Sequence, residues 1–278
     1  MSERRDRPSH ASMVTEMPPR SRLYCLAPLG VGTAEGESFT SYVTRLAWTY
    51  RVSPRDLIAL EIIPNLKRAF LFHRNFERLG TYCRRHAMTI NGVGEAATDW
   101  VEALEQLTMR KDLRQLTLQP WARGFATRWL LRSAPAWCPT CYWERRERGL
   151  PLYQPLLWML QEVIICPRHK RRLEERCPFC FHSQSVIAVK TQHGFCTQCA
   201  AWLGAQPNPE MPLFIDAESL IWQEWVLQIL EELLRAGTHA ESLPWERLLA
   251  GLRACLEARG GIQKCADLVP IRITRKTW

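Results

Sequence analysis

Eight of the ten cysteines and histidines between positions 138 and 199 constrain this chain more than anything else in it, because they fall in four pairs, each separated by two residues. The pairs are Cys138 with Cys141, Cys166 with His169, Cys177 with Cys180, and Cys196 with Cys199. Such a knuckle turns two side chains onto one ion while backbone N–H groups point at the sulfurs, and two knuckles complete a tetrahedron of ligands that suits zinc. Prolines follow Cys138, Cys166 and Cys177 and stiffen those turns. Pairing the knuckles in sequence gives one site of three cysteines and a histidine and one of four cysteines. An interleaved pairing, first knuckle with third and second with fourth, meets the same spacing rule. Either way the expectation is two zinc ions per chain. Loss of the second site is expected to unfold its own ribbon and leave the opening helices intact. The remaining Cys25, Cys83, Cys255 and Cys265 stand singly and read as small buried hydrophobes.

Four protein ligands leave no open coordination position, so the sites read as structural. A zinc deaminase needs H-x-E ahead of P-C-x-x-C, whereas His239-Ala240-Glu241 follows every cysteine pair. The chain has no phosphate-binding G-x-x-x-x-G-K-[ST] loop and no G-x-S-x-G nucleophile elbow. No catalytic residue is therefore assigned, and an enzyme is not expected. A zinc-dependent nuclease or hydrolase is the reading these closed ligand sets disfavour.

The net charge of +9 is unevenly spread: the basic surplus falls within residues 1–199, and residues 200–278 hold slightly more acids than bases. Such a field favours a polyanion, usually nucleic acid, although many basic proteins gain only solubility from it. The candidate DNA contacts are Arg51 and Arg55 near the first helical turn, Lys67 and Arg68, Arg84 and Arg85, and the run Arg168, Lys170, Arg171 and Arg172. No apolar run reaches the roughly 20 residues of a membrane span, and residues 1–22 lack the apolar core of a signal peptide. They read as a flexible arm on a cytoplasmic, bacterial, nucleoid-associated protein.

Ser38 is positioned to cap a helix with the apolar stripe Phe39, Tyr42, Val43, Leu46, Ala47 and Tyr50. Ser53 as N-cap, Pro54 at the first position and Asp56 as the N3 acid then open a second helix at once. Two helices across so short a turn fit a helix-turn-helix or a plain helical hairpin. A related hairpin is expected from Thr98 to Leu107 followed by a helix opening at Lys111-Asp112-Leu113. A helix over Leu220 to Arg235 carries Ile221, Trp222, Trp225, Val226, Ile229, Leu230, Leu233 and Leu234 and stops at Gly237, with further helices expected over Trp245 to Arg259 and Ile262 to Leu268. Trp137, Tyr142, Trp143, Tyr153 and Trp158 are expected in the ribbon cores, with Trp143 and Tyr153 as candidate docking anchors beside Arg145 and Arg146. The architecture is thus mainly α. It has the arm (1–22), a helical helix-turn-helix domain (23–130), two zinc-ribbon-like modules with short strands (131–204) and a C-terminal helical bundle (205–278).

Three stretches carry a family likeness: Gly36-Glu37-Ser38-Phe39 leading into Ser41 to Ala47 and Ser53-Pro54-Arg55-Asp56-Leu57; Arg128-Trp129 through Trp137-Cys138-Pro139-Thr140-Cys141; and Trp158 through Ile165-Cys166-Pro167-Arg168-His169, then Leu173 and Cys177-Pro178-Phe179-Cys180. Over about residues 23–200 the chain resembles the TniQ/TnsD family of transposition target selectors. The resemblance implies a non-enzymatic adaptor that marks an insertion site on DNA or by docking on an RNA-guided CRISPR effector complex. It further implies recruitment of an AAA+ ATPase regulator, and of the transposase indirectly through it. One departure is Lys170, where the family often has glycine. Another is a length between those of the minimal and the long members. A zinc-containing transcriptional regulator is the alternative that the same helices and charge support.

Overall fold

The computed structural model describes residues 20–69, 79, 80, 82, 83, 86–124, 130–206, 217–237, 246 and 250. Most of the arm, Arg84 and Arg85, Arg128-Trp129, Cys255 and Cys265, all of the helix expected over 262–268 and all but two residues of that expected over 245–259 lie outside them.

The described residues are mainly helical. Helix α1 spans Phe39–Thr49, and the Ser38 hydroxyl accepts the Ser41 N–H at its start. Phe39, Tyr42, Val43, Leu46 and Ala47 are all fully buried, each large side chain contributing about 1.5–3 kcal/mol of transfer free energy. Tyr50, expected on the same stripe, is exposed and becomes the C-cap. Arg51 then turns the chain in the left-handed region (φ 56°), and Ser53 caps the second helix, its Oγ accepting from Asp56 N at 3.1 Å.

Helix α2 covers Pro54–Leu57, continues as a π-type turn over Ile58–Ile62 and tightens to a 3₁₀ turn at Ile63–Asn65. Pro64 explains the change of pitch, since it has no N–H for the Leu60 carbonyl and its ring crowds that carbonyl. Helix α3 spans Glu95–Thr108 and buries Trp100, Val101, Leu104 and Leu107. The helix expected from Lys111 is instead one 3₁₀ turn, Leu113–Leu116. Asp112 stands at the N-cap but makes no capping bond, both of its carboxylate oxygens being turned to Arg110 at 2.7 and 2.6 Å.

Two apolar cores follow. The first joins α1, α2 and α3 to Met159, Val186 and Ile187, so residues from the metal-ligand region close the helical core. The second surrounds the ligand cysteines with Leu118, Trp121, Trp137, Tyr142, Trp158 and Leu173. Gly36 to Ser38 joins the two: Glu37 bridges Pro155, Ser38 N donates to Gln154 O and Leu156 N donates to Gly36 O.

Helix α4 is Pro139–Glu147, and helix α5 is Ala217–Ala236. The expected stripe of α5 is only partly its inner face, with Leu230, Leu233 and Leu234 packed on the second core. Gln223, Leu227 and Leu234 are buried, whereas Ile221 is exposed and Trp222 and Trp225 are half-buried. The helix is apolar on two sides, and two polar anchors select the face that packs. Gln223 accepts from Ile164 N (3.1 Å) and donates to Glu162 O (3.0 Å), and Trp121 Nε1 donates to Leu233 O. No helix among the described residues is long and apolar enough to cross a membrane.

Candidate metal centres

The described residues gather the eight ligands into two groups: Cys138, Cys141, Cys166 and His169, and Cys177, Cys180, Cys196 and Cys199, the ligand atoms of each lying within 4.8 Å of one another. This is the sequential pairing. In the first group His169 Nδ1 stands 3.4, 3.3 and 3.6 Å from the sulfurs of Cys138, Cys141 and Cys166. In the second, Cys177 and Cys199 are 3.7 Å apart, and Cys180 and Cys196 are 3.6 Å apart. A disulfide would need about 2.05 Å. A tetrahedron with metal–sulfur bonds near 2.3 Å has edges of roughly 3.8 Å, shorter where a nitrogen replaces sulfur. Both groups fit an ion of that size.

Three of the four knuckles share one backbone. Lys170 N donates to Cys166 O, Phe181 N to Cys177 O and Ala200 N to Cys196 O, each at 2.9 Å. Each first ligand donates in turn to the carbonyl five residues on: Cys166 to Arg171, Cys177 to His182 and Cys196 to Ala201. Single antiparallel bridges close the loops, Ile165 with Arg172, Arg176 with Ser183 and Phe195 with Trp202. Single bridges thus stand where short strands were expected, because the chain reverses within the knuckle and leaves room for one bridged pair at its base. The remaining knuckle is helical: Cys138 precedes α4 and Cys141 lies in its first turn.

In all three repeats the residue after the second ligand is left-handed: Lys170 (φ 50°), Phe181 (φ 60°) and Ala200 (φ 59°). That conformation costs an L residue roughly 1–2 kcal/mol, which accounts for the glycine often found where this chain has Lys170. The Lys170–Glu224 contact, 3.6 Å between half-exposed groups, offsets little of this. Lys170→Gly is expected to stabilise the chain by about 0.5–1 kcal/mol after glycine's larger unfolded-state entropy. Urea denaturation checks this, and no gain would contradict the strain argument.

Glu144 is a functional residue that sequence reasoning missed. Its Oε1 accepts from His169 Nε2 at 3.0 Å and its Oε2 from Arg168 Nη2 at 2.7 Å, which turns His169 Nδ1 toward the sulfurs. The hydrogen bond to His169 holds the Glu144 carboxyl below its usual range. The available signal was its place three residues after Cys141 on a helix, hence on the ligand face. Hydrogen bonding with Cys141, and then with Cys166, holds the Cys138 thiol well below its usual range, while bonding with Cys138 and Cys166 pushes Cys141 up.

The candidate DNA contacts separate. Arg168 holds Glu144 and lies 3.6 Å from Glu35, while Arg171 reaches Thr140 and Glu174. Lys67 pairs with Glu102 and Arg68 with Glu95. Arg55 is half-buried, and Arg51 and Arg172 are exposed. Tyr153 is buried, its hydroxyl donating to Glu35 O, and Arg145 is buried over its ring and donates to its carbonyl. Neither is therefore a surface anchor. Trp143 is half-buried, and Arg146 lies over Trp202. Cys83 is buried as expected, whereas Cys25 is exposed, its sulfur 3.7 Å from the Arg110 guanidinium.

The TniQ family model matches residues 28–173, more than half of the chain. The chain belongs to the TniQ family. No curated protein is similar enough to match it. Membership implies a part in selecting transposition targets, and TniQ proteins are adaptors rather than catalysts. The match takes in α1, α2 and the whole first centre, and it ends before Cys177, the first ligand of the second.

Proposed function

We propose that both centres hold zinc, two ions per chain, and that the protein selects the insertion site of a transposon. In this reading it marks the site by binding DNA or by docking on an RNA-guided CRISPR complex. It then recruits an AAA+ ATPase regulator that brings in the transposase. The observation that carries the reading is the TniQ match over residues 28–173, with the capped helix pair and the first ligand set inside it. Four-ligand centres supply rigidity and leave no coordination position for substrate. The α1–α2 pair acts as a helix-turn-helix, supported by the exposed Arg51 at its turn, and phosphate contacts on that side make binding salt-dependent. With Arg145 interior, the charge swap that probes ATPase docking is Arg146→Glu.

Transposition assayed in cells with and without the gene, reading insertion position as well as frequency, tests this. Deletion is expected to scatter or abolish insertions at the chosen site. If site choice and frequency both stay unchanged, the reading fails and the transcriptional regulator takes its place.

A further inference from the structure

The three congruent knuckles act as internal controls for one another. Their third residues are Arg168, Phe179 and Gln198, and the left-handed residues that follow are Lys170, Phe181 and Ala200. The shared backbone therefore tolerates charged, polar or small side chains at both places, and ligand geometry does not require a ring at either. Only the Cys177 knuckle carries two, and both are bare: Phe179 is 66% exposed and Phe181 is 70% exposed. Phe181 also keeps its ring on a left-handed backbone that glycine would occupy without strain. Two large apolar side chains, one of them strained, held toward water on a metal-fixed loop have a use outside the fold.

The charges at the base of this loop identify the partner. Arg176 immediately precedes Cys177, and Arg172 ends the preceding knuckle; both are exposed, and neither is held in an ion pair among the described residues. The nearby acids are already neutralised, Glu174 by Arg171 and Glu175 by Arg132. Exposed aromatic rings on a loop flanked in sequence by exposed guanidinium groups free of ion pairs among the described residues match the two features of a nucleic-acid strand with free bases, a π face and a phosphate chain. A closed duplex offers only the second unless the rings prise its stacked pairs apart.

We propose that Phe179 and Phe181 form a stacking platform for unpaired bases of a nucleic-acid strand, with Arg172 and Arg176 on its phosphates. Arg176, Phe179 and Phe181 lie beyond the TniQ match, and Arg172 lies just inside its end. It rests on the function proposed above only in taking nucleic acid as a partner.

The test is fluorescence anisotropy of the full-length, zinc-loaded protein on a labelled mixed-sequence single-stranded DNA, on the same sequence as a duplex and on an abasic strand. Phe179→Ala and Phe181→Gly are each expected to weaken single-strand binding about tenfold. Duplex affinity should be unchanged, and on the abasic strand the wild type should lose at least the factor lost by either single variant, as both rings lose their stacking partners. Phe181→Gly relieves backbone strain, so two zinc ions per chain and an unchanged or higher melting temperature are expected for it; Phe181→Tyr should bind like wild type. Wild-type affinity of the double variant for the single strand would overturn the proposal, as would equal binding of the abasic strand. A loss confined to capture of the ATPase regulator would overturn it in favour of a protein-docking surface. The duplex arm bears on the DNA binding proposed above, the single-strand arm on this platform.

Discussion

Cys166→Ser is expected to cost the chain one of the two zinc ions proposed above and to melt the centre of the molecule. Cys138, Cys141 and Cys166 are each at most 2% exposed, and the second core is assembled directly around them. Structural zinc contributes on the order of 10–16 kcal/mol in small finger peptides, whereas a whole domain is stable by about 5–15 kcal/mol. Losing the ion therefore removes as much as the fold has to spare. The second centre is more open, with Cys180 half-buried and Cys199 exposed, so a chelator should strip it first. Its loss should also reach further than its own ribbon. Trp48 Nε1 donates to Thr191 O at 2.8 Å, and Val186 and Ile187 sit in the helical core, so Cys177→Ser should loosen α1 as well. Elemental analysis together with thermal melting followed by circular dichroism checks all three points. Two zinc ions and wild-type melting in Cys166→Ser would rule out the first centre as described.

What the sequence made legible was local chemistry. Ser38 and Ser53 cap because each hydroxyl finds the N–H three residues on, an interaction complete within one turn. The ligand groups were legible for the same reason, since a knuckle fixes two of four ligands by spacing alone. Where a local signal competed with a distant partner, the distant partner prevailed. Lys111-Asp112-Leu113 looks like a helix start but Asp112 is turned to Arg110, and the run from Arg168 to Arg172 looks like one cationic face but is divided by Glu144, Glu35 and Glu174. Periodicity overstated the packed face of α5, because Gln223, a polar residue no apolar count selects, fixes its rotation. The strain in the knuckles is invisible to ligand spacing, although the glycine-for-Lys170 departure marks one such position.

Glu37→Ala is expected to destabilise the protein by about 3 kcal/mol, near the lower end of the range for breaking a buried ion pair. The Glu37 side chain is wholly buried and its carboxylate is fully used. It accepts from Arg45 Nε at 2.7 Å and Nη2 at 2.8 Å, from Ser41 Oγ at 2.9 Å and from Leu29 N at 3.3 Å. Its position just before the α1 N-cap also sets a negative charge beside the positive end of the helix dipole. Alanine would leave Arg45, 15% exposed, with the Ala27 carbonyl as its remaining partner and no counter-ion among the described residues. The same residue pairs with Pro155, so the damage lies at the junction of the helical core and the metal-ligand region. Glu37→Gln keeps the shape and some hydrogen bonds and should cost less. Glu37→Gln with Arg45→Met removes both charges and should recover part of the loss, because an apolar replacement of a buried pair is often neutral. Urea midpoints at constant m-value give these differences directly. A loss below about 1 kcal/mol in Glu37→Ala, or simple additivity in the double variant, would show that the pair does not hold the junction.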